Sequence, residues 1–192
     1  MKTAIVLGNG VSRKGICCNK LSQFGFTYAC NSAYTEFTPT VLVSTDKPIA
    51  DYIQNTGYAL SNRFYTRRPN ENTGALELPY QYRRFSSGPN ALALAALDGC
   101  TDIYLLGFDI GPTQDNLFNN IYAGTEFYKG ISSPPTHTGN WIKQVFTVIK
   151  DFPDRRFTRV YGDSTKDIEE LRALSNLQNI RVETFLKKIE TI

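Results

Sequence analysis

Sulfur and imidazole are scarce in this chain. One histidine and four cysteines (Cys17, Cys18, Cys30 and Cys100) stand among 192 residues, with no CxxC pair. That supply cannot build a standard zinc site. Adjacent Cys17 and Cys18 cannot readily bridge each other, so the pattern reads as reduced thiols in a cytoplasmic protein, two or three of them buried. No apolar run approaches 18 residues, which excludes a membrane-spanning helix. The apolar stretch Ala4 to Leu7 stops at Gly8-Asn9-Gly10 and is too short for a signal-peptide core. Neither charge dominates: 21 basic against 18 acidic residues leave a net charge of +3, too weak for nucleic acid to be an expected partner. Glycine and proline, 14 and 9, sit near the average, which excludes collagen-like and low-complexity chains.

What is present is an ordinary globular composition, 41% apolar. Its length suits one domain over residues 1–192, large enough to bury roughly 70% of its extended surface. Thr3 to Leu7, Phe26 to Cys30 and Val41 to Ser44 read as strands. Pro48 opens a helix through Ile53. Residues 62–84 show no firm period. Ser86-Ser87-Gly88 starts an almost pure Ala/Leu helix, Ala91 to Leu97, of the kind normally buried against a sheet. Ile103 to Gly107 is a strand ending in Phe108-Asp109, and residues 110–136 form a long excursion of the type that is usually functional or mobile. An amphipathic helix (Asn140 to Lys150), a strand (Phe157 to Tyr161), a helix (Lys166 to Leu174) and a last strand (Ile180 to Phe185) complete the chain.

This alternation predicts a three-layer α/β/α, Rossmann-like fold: a mostly parallel sheet, helices on both faces, and a loop or lid at 110–136. Ligands in such sheets bind beyond the carboxyl ends of the strands. Four polar segments fall there: Gly8 to Ser12, Asn31-Ser32, Ser44 to Asp46, and Phe108-Asp109. Gly8-Asn9-Gly10-Val11-Ser12 is neither GxGxxG nor a Walker loop, yet its glycines would let a phosphate or ribose approach the backbone. Asn31 and Ser32 can bond ribose hydroxyls or a base edge. Asp46 and Asp109 could hold Mg²⁺ on a triphosphate, or merely cap helices. The one basic and aromatic run, with Arg63, Arg67, Arg68, Arg83 and Arg84 among tyrosines and phenylalanines, suits an anionic acceptor, a nucleic acid or a solvated flap.

These segments resemble a family. Ile5-Val6-Leu7-Gly8-Asn9-Gly10-Val11-Ser12-Arg13-Lys14 is similar to the GNGPSLK opening of the bacterial CMP-sialic-acid-dependent sialyltransferases, with Val11 in place of proline. Cys30-Asn31-Ser32-Ala33-Tyr34 resembles their CNxxY, and Ser86-Ser87-Gly88 with Ile103 to Asp109 their SG…IYLxGxD. The likeness implies a glycosyltransferase that moves a sugar from a nucleotide-sugar donor to an acceptor hydroxyl and requires no cofactor. It implies nucleotide contacts from Asn9, Asn31 and the Ser87-Gly88 turn; with the strand-end residues Gly8, Gly10, Ser12, Ser32 and Asp109 these make nine expected nucleotide contacts. It also implies that His137 is the general base, with Tyr122 and Tyr128 near the leaving phosphate, although Ile110 stands where a tyrosine often follows the aspartate.

Val43-Ser44-Thr45-Asp46 more closely resembles the hydroxymethylpterin diphosphokinase-like proteins. This implies the alternative of a Mg-dependent, ATP-using diphosphokinase with Asp46 and Asp109 as ligands. A non-catalytic nucleotide-binding or interaction protein on the same fold is a third reading, and self-association stays open.

Overall fold

The computed structural model describes residues 1–190; of the expected 1–192 domain, residues 191 and 192 lie outside the described part. Eight strands form one sheet: β1 (Thr3–Leu7), β2 (Phe26–Cys30), β3 (Val41–Ser44), β4 (Phe64–Thr66), β5 (Leu76–Glu77), β6 (Asp102–Leu106), β7 (Arg156–Tyr161) and β8 (Leu177–Arg181). Their order is β5-β4-β3-β2-β1-β6-β7-β8, and every neighbouring pair is parallel. The chain therefore walks outward from β1 to β5, returns to the other side of β1, and walks outward again. The reversal lies between β1 and β6, where such sheets open a crevice.

Strand residues alternate between two cores. Ala4, Val6, Ile103 and Leu105 face one side, under α3 (Ser87–Leu97) and α4 (Gly139–Asp151). Ile5, Leu7, Tyr104 and Leu106 face the other, with α1 (Cys18–Phe24), α2 (Lys47–Asn55) and the last helix, Val182–Glu190. With both faces covered, central strands read as continuous apolar runs, as Ala4 to Leu7 does. Helix α3 is buried from Pro89 through Ala96, as its lack of any polar face demands.

Three expectations are corrected. The aperiodic stretch 62–84 carries two short strands, β4 and the edge strand β5. The helix over 166–174 is a single turn, α5 (Glu169–Arg172). The last strand ends at Arg181, and the following helix, α6 (Val182–Glu190), buries Phe185 and Ile189 four residues apart. The excursion 110–136 has neither helix nor strand. It is tied down by Ile121 N–H on Asn9 O at 2.8 Å and Val11 N–H on the Asn119 side chain, also 2.8 Å.

Candidate functional site

A cleft of about 230 Å³ opens at the β1/β6 reversal, just under the roughly 300–1,000 Å³ usual for small-molecule sites. Gly8, Asn9 and Gly10 line it from the end of β1, Asn31 from β2, and Thr45 and Asp46 from β3. The start of α3 contributes Ser87 and Gly88, the end of β6 Asp109 and Ile110, and α4 the only tryptophan, Trp141. Seven of the nine expected nucleotide contacts thus meet at one cavity. Ser12 and Ser32 stand behind it: Ser12 bonds Asp109, and Ser32 N–H points at Tyr128 at 3.5 Å.

The Asn31 side chain is held in one orientation. Ser87 Oγ accepts from Thr45 N–H at 3.0 Å, so its own proton is free to go to Asn31 Oδ1, also 3.0 Å away. Ser44 Oγ donates to the same oxygen at 2.9 Å. The amide nitrogen has no partner among the described residues, and Asn31 lines the cavity. Asn31 has φ +53°, a left-handed conformation that asparagine tolerates better than most residues. Beside it, α3 begins with N–H groups that no helical carbonyl can reach, and Ser86 supplies no side-chain cap. Instead, Ser86 Oγ accepts from Trp141 Nε1 at 3.0 Å, fixing the indole on the wall. An amide donor, a helix N-terminus and an aromatic plane suit a base or ribose with a phosphate.

The opposite rim is closed on itself. The Asp109 carboxylate accepts from Ser12 N–H, Ser12 Oγ, Ser164 Oγ and Thr165 Oγ1. Beneath it Arg159, 4% exposed, donates to the carbonyls of Phe108, Asp109 and Lys166, and burial pulls its pKa down to about 10. Ile110 follows at φ +48°, a strained conformation for a β-branched residue. The glycines of the first turn are required by packing here. A methyl group at Gly8 would lie 2.5 Å from Gly107 O, and one at Gly10 would lie 2.4 Å from Asp109 Cγ. At Gly88 the same group would meet only the Phe108 ring, at 3.6 Å.

Tyr122, Tyr128 and His137 are not among the residues lining the cleft. The Tyr122 hydroxyl bonds the exposed Glu36 and accepts from buried Arg13 at 2.8 Å, and Arg13 also donates to Gly8 O at 2.7 Å. Burial raises the Tyr122 pKa and also opposes ionisation of Glu36, but hydrogen bonds from Tyr122 and Arg13 outweigh it and leave the Glu36 carboxyl below its ordinary value. Burial pushes Tyr128 up to about 12; its hydroxyl lies 3.5 Å from Asn9 Nδ2, so it reaches the cleft through Asn9. His137 is exposed, just before α4 and four residues from Trp141. The thiol of Cys30, also on the wall, is pushed up to about 12 by burial and is no nucleophile near neutral pH.

The structure of the MAf glycosyltransferase from Magnetospirillum magneticum AMB-1 matches 93% of this chain with a TM-score of 0.52, at 14% sequence identity. At this identity the likeness is one of fold, the parallel α/β sheet with helices on both faces. The chain spans 33% of the length of that protein. No family profile and no curated protein sequence matches the chain. Among the described residues no helix is long and apolar enough to cross a membrane. Likewise, no three His, Cys, Asp or Glu side chains group as a metal site would require.

Sequence reasoning gave Trp141 no role at the site, held Thr45 and Ser86 only within the segments Ser44 to Asp46 and Ser86-Ser87-Gly88, and left Arg67, which also lines the cleft, inside a general basic run. Thr45 and Ser86 adjoin residues already singled out, and a lone tryptophan at the start of a helix following a long loop was a usable signal. Arg159 had one too: a charged residue within a buried strand has to be paired.

Proposed function

We propose that the chain is a glycosyltransferase that holds a nucleotide-sugar, CMP-sialic-acid-like, in the β1/β6 cleft and transfers its sugar to an acceptor hydroxyl. The observation that carries this reading is the set of unspent donors on one wall, Asn31 Nδ2 and the α3 N-terminus, beside the Trp141 plane. The helix end would take the phosphate and stabilise charge as the glycosidic bond breaks. Asn31 and Asn9 would hold the nucleoside. His137, at the mouth of α4, would accept the acceptor's proton. Tyr128 would act beside the phosphate through Asn9, whereas Tyr122 would have to leave Arg13 and Glu36 to do so. No resident metal is needed in this scheme.

The test is a titration with CMP, UDP and GDP followed by the fluorescence of Trp141 and by calorimetry. Saturable quenching with CMP-linked ligands is expected, and silence with all three would end the proposal. His137→Ala should lower turnover by about 10²- to 10⁴-fold and leave nucleotide affinity unchanged. In the diphosphokinase reading Asp46 and Asp109 would bind Mg²⁺, but Asp109 would first have to shed at least one of its four hydrogen bonds. Turnover abolished by EDTA would favour that reading. Tight binding with no product would favour a non-catalytic protein.

A further inference from the structure

A second cavity, of about 200 Å³, lies beyond the wall formed by Thr45, Asp46 and Arg67, which line both spaces. We infer that this cavity is the acceptor subsite of the proposed transferase, and that it selects a hydroxylated acceptor carrying an oxyanion, a phosphate ester or a carboxylate. The second half of that statement rests on charge. Of the five arginines in the run 63–84, Arg63 is spent on Asp98 and Arg83 on Glu77. Arg67 has no carboxylate partner among the described residues. Its Nε and Nη2 donate to the carbonyls of Arg83, Arg84 and Phe85 at 2.9–3.2 Å, so it is held in place with its charge uncancelled. Arg68, exposed beside it, has no side-chain partner among the described residues.

Opposing charge is present and is accounted for. Asp51 is engaged by Lys47, one turn away on α2. Of the two carboxylates lining this cavity, Asp46 has no cationic partner among the described residues, and it stands on the wall shared with the donor cleft. A free carboxylate there repels an anion placed beside it but accepts a hydrogen bond from a hydroxyl. An acceptor with a hydroxyl at Asp46 and its oxyanion at the guanidinium fork of Arg68 and the remaining Nη1 of Arg67 satisfies both. The role as acceptor site depends on the donor reading above; the anion site does not.

Calorimetric titrations of inorganic phosphate and of acetate, with and without saturating CMP, separate the two claims. Phosphate or acetate is expected to bind the CMP-loaded protein, and Arg68→Ala to weaken that binding by about tenfold or more while CMP affinity stays unchanged. Arg68→Lys, which keeps the charge and loses the fork, should fall between. Exclusion of the anion by CMP, binding that is indifferent to Arg68→Ala, or no binding of either anion would overturn the second site. Arg68-dependent anion binding in a protein that ignores every nucleotide would uphold the anion site and sink the donor reading together with the acceptor role.

Discussion

At the end of β6, every oxygen of Asp109 is committed, and Arg159 gathers the neighbouring carbonyls into a buried clamp. Across the cleft, at the end of β2, Asn31 commits one atom of its amide and leaves the other unspent. Both residues line the same cavity, and sequence reasoning gave both the same role. The difference shows that a polar strand end can be either a knot or a hand. Where partners saturate a group, it holds segments together; where a donor is oriented yet unpaired, a ligand can be recognised without dismantling the fold. Desolvation makes this distinction energetic, because a buried group that loses its partner costs about 1–3 kcal/mol, more if charged.

Substitutions should break the two sides in different ways. Asp109→Ala strips Ser12, Ser164 and Thr165 of their acceptor and leaves Arg159 without the nearby negative charge. A loss of about 3–5 kcal/mol is expected in urea unfolding. Asn31→Asp keeps the acceptor oxygen for Ser44 and Ser87 and a residue at ease with positive φ, while exchanging the free donor for negative charge. Nucleotide affinity should fall by about tenfold or more, with stability changed by under about 1 kcal/mol. Equal effects of these two variants on stability would erase the contrast. Gly88→Ala sharpens it from another direction. The helix has room for the methyl group and should gain up to about 1 kcal/mol, yet a phosphate at the α3 N-terminus would be pushed away and bind more weakly.

The smallest effect concerns pH. Because the folded state holds the Glu36 carboxyl below its ordinary 4.5, the ionised group stabilises the protein above that pH, and the contribution fades as pH falls through the lowered folded value. Urea midpoints measured at pH 6 and pH 4 should therefore differ less in Glu36→Gln than in the unsubstituted protein.

Much of the architecture was legible because its signals are local. Helix α3 has no polar face to expose, so its burial followed from composition, and Thr3 to Leu7 could only be an interior strand. The rim was legible because the strand ends are marked by Gly, Asn, Ser and Asp. What those residues do there was not. Gly8 and Gly10 suggested room for a ligand, but the space is taken by Gly107 and Asp109, ninety-nine residues on in each case, and no local pattern reports that approach. The end of β8 misled for a different reason. Ile180, Val182 and Thr184 alternate as a strand would, while Val182, Phe185, Leu186 and Ile189 also fit a helix, and packing on the second core decides for the helix. Strands of two or three residues, such as β4 and β5, are too short to show a period at all.

The order in which the strands lie also governs when the crevice can come into being. β1 is the first of the eight strands in chain order, but its neighbour on one flank, β6, ends only at Leu106. A nascent or truncated chain that stops earlier carries β1 with one naked side, prone to pair with whatever edge it meets. Closing that junction brings together residues about a hundred positions apart, a search that slows folding. β1, the first of the eight strands to be made, thus waits for the sixth before both its edges are paired, and the crevice between them waits with it.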